Sequence, residues 1–157
     1  MGNSFWQRRI VQPVLLLLKQ GLTPEKLALT ISLGIALGTV PVLGSTSISC
    51  ALAAAFLGLN QAAIQGVNYL AYPLQLALLI PFLKLGAMIF GDHGFQLTLS
   101  DIQRLISSGI INTITTLWTA TMHGIVAWGV LVIPTVTILY FILCPVLRLA
   151  AEKQNIS

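Results

Sequence analysis

Charge is what this sequence has least of. Of 157 residues, 4 are Asp or Glu and 8 are Lys or Arg, so 8% are charged against 56% hydrophobic. A soluble domain carries roughly a quarter of its residues charged. Between Lys26 and Lys84 no charged side chain occurs at all. That neutral run, Leu27 to Leu83, is about 57 residues long, and about 20 apolar residues cross a bilayer core, so it holds at least two membrane-entering helices. A second neutral run extends from Leu105 to Leu147. The shortage of charge excludes a soluble core and predicts a chain that lives in a membrane.

Other absences narrow the function. Cys50 and Cys144, the only cysteines, both sit in apolar surroundings; they form neither a disulfide framework nor a metal site and read as packing residues. No Gly-rich phosphate loop, nucleophile elbow or nucleotide-binding pattern occurs, so no cofactor is expected and the chain is not read as an enzyme. Asp92, His93 and Asp101 share one stretch but lack the spacing of a hydrolytic or metal site. No catalytic and no metal residue is assigned. The net charge of +4 comes without any basic run. Lys and Arg sit at helix ends, as topology signals and headgroup contacts. The expected partner is the lipid bilayer, not nucleic acid.

What is present is helix punctuation inside an apolar chain. Residues 4–20, with Phe5, Trp6, Ile10, Val11, Val14 and Leu15 against Arg8, Arg9 and Lys19, predict an interfacial amphipathic helix, or one packed on the end of the bundle. The short apolar stretch Val14 to Leu18, with no small-residue cleavage site after it, argues against a secretion signal. Thr23, Pro24 and Glu25 then supply a cap, a first-turn proline and an acid for a helix start. That helix must stop near Pro41. Residues 24–60 therefore form a helical hairpin broken at Pro41 and Gly44, its arms slightly short for a crossing. Such a hairpin is either a thin transmembrane pair or a re-entrant one. Gly34 and Gly38 lie on one helix face, with Ala51, Ala54, Ala55 and Gly58 on the second arm, and this predicts close packing between the two arms. Ser45, Thr46 and Ser47 open the second arm and suit either capping or an anion.

The third membrane segment, residues 61–90, has polar residues in helical register. Gln61, Gln65, Asn68, Tyr72 and Gln75 are spaced four, three, four and three, which sets them on one face. Pro73 and Pro81 interrupt its backbone hydrogen bonding. Proline breaks at membrane depth free carbonyls that transporters use for solutes, whereas polar residues there also glue helices together. After an external loop, residues 91–104, the final membrane segment covers 105–148. Asn112, Thr116, Thr119 and His123 form a second stripe, and His123 is the titratable group expected deepest in the membrane. Both stripes are candidates for lining a cavity.

Charge asymmetry orients this arrangement. With the hairpin returning to its origin, Arg8, Arg9, Lys19, Lys26, Arg148 and Lys153 share one side, against Lys84 and Arg104 on the other. By the positive-inside rule both termini are expected in the cytoplasm. The whole chain, 1–157, reads as a single all-α membrane domain: an interfacial helix, the broken hairpin and two further membrane helices.

Leu22-Thr23-Pro24-x-x-Leu27-Ala28, Gly34-x-x-x-Gly38, Pro41-x-x-Gly44, Leu59-Asn60, and Tyr72-Pro73 with Pro81 ahead of Leu85-Gly86 resemble the small bacterial membrane proteins of domain-of-unknown-function family twenty-sixty-two. The resemblance extends over positions 10 to 150. Many relatives have Asn where this chain has Tyr72, so no role of that amide carries over. The family brings no established activity. Some members are fused to or associated with sugar-transferring enzymes, which implies a place in the bacterial inner membrane and work on the cell envelope.

Two functions follow as expectations. In the first, the chain transports or handles a small solute or lipid of the envelope through a cavity lined by the two stripes, as a homo-oligomer. In the second it is a non-transporting scaffold or the partner of an envelope-biosynthesis enzyme. Loss of uptake without loss of folding on replacing Gln65, Asn68 or His123 by Leu would distinguish the first from the second.

Overall fold

The computed structural model describes residues 22–91, 103 and 107–155. The expected interfacial helix, and all of the 91–104 loop apart from Gly91 and Gln103, lie outside the described residues. Four helices and no strand occur among the described residues: α1 (Pro24–Gly38), α2 (Thr46–Leu57), α3 (Gln61–Ile89) and α4 (Ile110–Asn155).

Local chemistry sets most of these boundaries. Thr23 is extended and its hydroxyl oxygen accepts the Lys26 N–H at 3.3 Å, with Pro24 in the first turn and Glu25 beside it. At the other end Thr39 leaves the helix, and its N–H and hydroxyl both donate to the Ala36 carbonyl, at 3.3 and 2.8 Å. Gly44, at φ +88°, turns the chain. The second arm ends on left-handed Gly58 at φ +60°, and Leu59 N–H reaches back to the Ala54 carbonyl at 2.9 Å, the six-to-one bond of a Schellman ending. Asn60 then caps the next helix by accepting the Ala63 N–H at 2.9 Å.

Prolines do not break the long helices. Pro73 and Pro81 lie inside α3, and Pro134 and Pro145 inside α4. In apolar surroundings a missing hydrogen bond is cheaper than a wholly unravelled turn, whose every polar group would need a partner. The expected interruption of the third segment is therefore confined to single missing N–H groups.

The short helix lies at the centre. From Leu27 to Pro41 no residue is exposed, and α1 packs against all three other helices. On one side Leu27 and Ala28 pack with Cys144 and Leu147 of α4. On another Leu29, Leu33 and Leu37 pack against Cys50 and Ala54 of α2 and Ile64 of α3. Both cysteines are free and buried. Two polar side chains on α1, Thr30 and Ser32, are fully buried; each hydroxyl donates to the carbonyl four residues back and so costs nothing in unmet bonds.

Lengths separate the helices into two kinds. At about 1.5 Å per residue α1 and α2 reach only about 22 and 18 Å, short of the roughly 30 Å hydrocarbon core. Helices α3 and α4 are long and apolar enough to cross it. Their outward faces are bare of protein: Tyr69, Leu70, Met88, Ile110, Ile111 and Ile133 are each more than two-thirds exposed. Such faces suit lipid.

Candidate functional site

The polar face of α3 converges on the tip of the hairpin. Gln75 is 1% exposed, and its amide Nε2 donates to the Val40 carbonyl at 2.8 Å. Val40 lies beyond the last turn of α1, which ends at Gly38, so no helical N–H four residues on reaches its carbonyl and an outside donor is needed. Lower on the same face, Gln65 Nε2 donates to the Ser47 carbonyl at 2.8 Å. Asn68 Nδ2 is within 3.3 Å of both the Ser47 hydroxyl and Gln65 Oε1. Gln61 and Tyr72 of the same stripe are exposed and make no side-chain hydrogen bond among the described residues.

The tip is held from a second direction. Trp128 of α4 donates its indole N–H to the Ala36 carbonyl at 3.0 Å. That carbonyl already accepts from Thr39 twice, so three donors meet at the end of α1. Sequence periodicity does not reveal this contact, which joins residues 92 positions apart; the signal available was an indole with one polar atom in a neutral helix.

Glycines let the helices approach. A Cβ on Gly34 would lie 2.7 Å from Val67 Cγ1, and one on Gly38 2.9 Å from Ala71 Cβ. The close partner of this pair is α3, where the sequence predicted the second arm of the hairpin. Four-residue spacing fixes a face but not which neighbour covers it. Gly86 and Gly124 form another close approach, between α3 and α4: a Cβ on Gly86 would lie 2.3 Å from the His123 backbone carbonyl, and one on Gly124 2.9 Å from Leu83.

The second stripe has a different setting. Asn112, Thr116 and Thr119 lie near the start of α4, where Asn112 donates to the Ser108 carbonyl and the two hydroxyls donate to carbonyls four residues back. His123 stacks on Phe90, with ring centroids 4.2 Å apart and an 11° interplanar angle. Its Nδ1 is buried and without a hydrogen-bond partner among the described residues. Among the described residues no hydrogen bond joins the α3 stripe to the α4 stripe. Pro41 is buried, whereas Gly44, Pro73 and Pro81 are exposed.

At the other end of α1, Arg148 Nε contacts Glu25 Oε1 at 2.7 Å. The backbone at the helix start and then the Arg148 hydrogen bond hold the Glu25 carboxyl below its ordinary range. Beside this pair a cleft of about 380 Å³ opens between α1 and α4, with Glu25 and Lys26 at one end and Leu29, Val136 and Phe141 on its walls.

These features sit in a chain matched across nearly all of its length by one family model. No curated protein and no solved structure matches it. The match covers residues 7–155, from before α1 through the whole of α4, and on that extent the chain belongs to the bacterial family described as "Uncharacterized protein conserved in bacteria (DUF2062)".

Proposed function

We propose that this chain is a non-transporting scaffold of the bacterial inner membrane: its hairpin enters the bilayer without crossing, and its bare helix faces hold lipid, further copies or an envelope enzyme. The observation that carries this reading is the Gln75 amide on the Val40 carbonyl. Gln75 is the middle residue of the 29-residue α3, so the hairpin tip lies halfway along a helix long enough to span. A pore would need its amides free for a solute. Here Gln65, Asn68 and Gln75 are all engaged with the hairpin, which suits a brace. The six basic residues of the termini and of α1, against Lys84 and Arg104, support a cytoplasmic location for both ends.

A second reading, solute or lipid handling through a polar cavity, draws on the unpartnered His123 Nδ1. Cysteine scanning separates the two. In a Cys50→Ala, Cys144→Ala background, single cysteines at Gln65 and Asn68 stay protected from a water-soluble maleimide in the scaffold reading. Rapid labelling of both in the folded protein would overturn it in favour of an aqueous cavity.

A further inference from the structure

The cleft between α1 and α4 has the chemistry of a lipid site. Its walls are a Leu29 side chain from one helix and Val136 and Phe141 from the other, with Tyr140 set edge-on to Phe141, ring centroids 5.6 Å apart. Thr137 also lines it, but its hydroxyl is turned back onto the Ile133 carbonyl at 2.8 Å, which leaves the methyl for the cleft. A volume of about 380 Å³ falls within the roughly 300–1,000 Å³ of small-molecule sites, and a wall of this kind takes a hydrocarbon chain.

The rim selects the headgroup. Of its two charged residues, Glu25 is paired with Arg148 at 2.7 Å, so its carboxylate is answered from within the protein. Lys26 is exposed and has no ion-pair partner among the described residues. One uncompensated ammonium therefore stands over an apolar slot, at the end of the molecule where Arg148 also lies. Ammonium groups at that depth attract anionic headgroups, and the long Lys stem lets the charge reach the interface.

We infer that this cleft binds one anionic phospholipid, an acyl chain between Leu29 and Phe141 and the phosphate at Lys26. The inference rests on the membrane placement proposed above but not on the scaffold role.

The full chain, purified in mild detergent and stripped of lipid, is titrated with phosphatidylglycerol, with phosphatidylcholine of the same acyl chains, and with inorganic phosphate, and adducts are counted by native mass spectrometry. One phosphatidylglycerol is expected to be retained about fivefold over phosphatidylcholine, the order expected of one basic residue at an anionic surface, with no phosphate adduct. Lys26→Gln should abolish the preference, and Glu25→Gln should raise it by freeing Arg148. A folding defect cannot produce those opposite signs. Thr137→Trp, which fills the slot from its exposed wall, should lower retention of both lipids. Equal retention of the two lipids, a preference that survives Lys26→Gln, or binding of phosphate alone would overturn the inference. Carbonate extraction of membranes separates the two levels: a chain that is released overturns the membrane placement as well, whereas one that stays embedded without the preference overturns the lipid site alone.

Discussion

Gly86 of α3 lies so close to His123 of α4 that a Cβ there would fall 2.3 Å from the histidine's carbonyl carbon and oxygen. Backbone cannot step aside as a side-chain tip can. Gly86→Ala is therefore expected to destabilise the purified protein by at least the roughly 1–3 kcal/mol of ordinary overpacking, with no rescue from trimming neighbouring side chains. Gly124→Ala provides the contrast, because its one close obstacle is the Leu83 Cδ2 methyl at 2.9 Å, with the Leu83 backbone at an ordinary 3.7 Å. Combined with Leu83→Ala it should lose little beyond what Leu83→Ala loses alone, measured by thermal melting in detergent.

The two donors at the hairpin tip differ in what their removal leaves behind. Gln75→Leu strands the Val40 carbonyl in a buried setting, at a cost of about 1–3 kcal/mol. Trp128→Phe leaves the Ala36 carbonyl still bonded to Thr39, so about 0.5–1.5 kcal/mol is expected. Equal losses, read from the same melts, would contradict the arrangement.

At the basic end, Glu25 and Arg148 tie the start of α1 to α4. A carboxyl whose folded value is lowered contributes stability above its unfolded value, and that contribution disappears as pH falls through the lowered one. The tie should thus be unchanged at neutral pH and weaken only below the ordinary value of 4.5. Both side chains are well exposed, so the effect is small and salt-sensitive. In Arg148→Gln the salt sensitivity should vanish and the acid loss should shrink, with the part due to the Glu25 backbone remaining.

A hairpin that enters without crossing makes a further prediction for Leu43, which is 56% exposed near the tip. In the background lacking Cys50 and Cys144, Leu43→Cys should react with a membrane-permeant thiol reagent and resist an impermeant one added to either face of inverted or right-side-out vesicles. Reaction from the outer face would identify a crossing hairpin. A reporter fused after Ser157 should read cytoplasmic.

Helix ends were legible because their causes are local. Thr23-Pro24-Glu25 and Pro41 act within a turn of themselves, and the 61–90 segment returned as Gln61–Ile89; Gly58, expected on the packed face of the second arm, instead ends that helix with open space around it. The last helix was harder: expected over 105–148, it runs from Ile110 to Asn155, because Arg148 and Glu152 mark a change of solvent and not a stop signal for helix. The stripe on α3 was visible as a period of polar residues. Its partners were not, since a period names a face while Val40 and Ser47 are found only once the hairpin is docked. Likewise Thr116 and Thr119 have hydroxyls that bond within their own helix, an option that spacing leaves open. Most hidden was the Trp128 contact with Ala36, which depends on how two distant helices cross.

The covering of α1 by all three other helices bears on how the chain is made. Its covering partners on α4, Trp128, Cys144 and Leu147, leave the ribosome about a hundred residues later, at roughly 5–20 residues per second. For those seconds the hairpin has no enclosing wall, and its arms are too short to hold a bilayer alone. The segment synthesised early is thus assembled late: the two long helices must be inserted before the centre of the fold can close. A defect in α4 should appear first as degradation of nascent protein, well before any defect in the mature form.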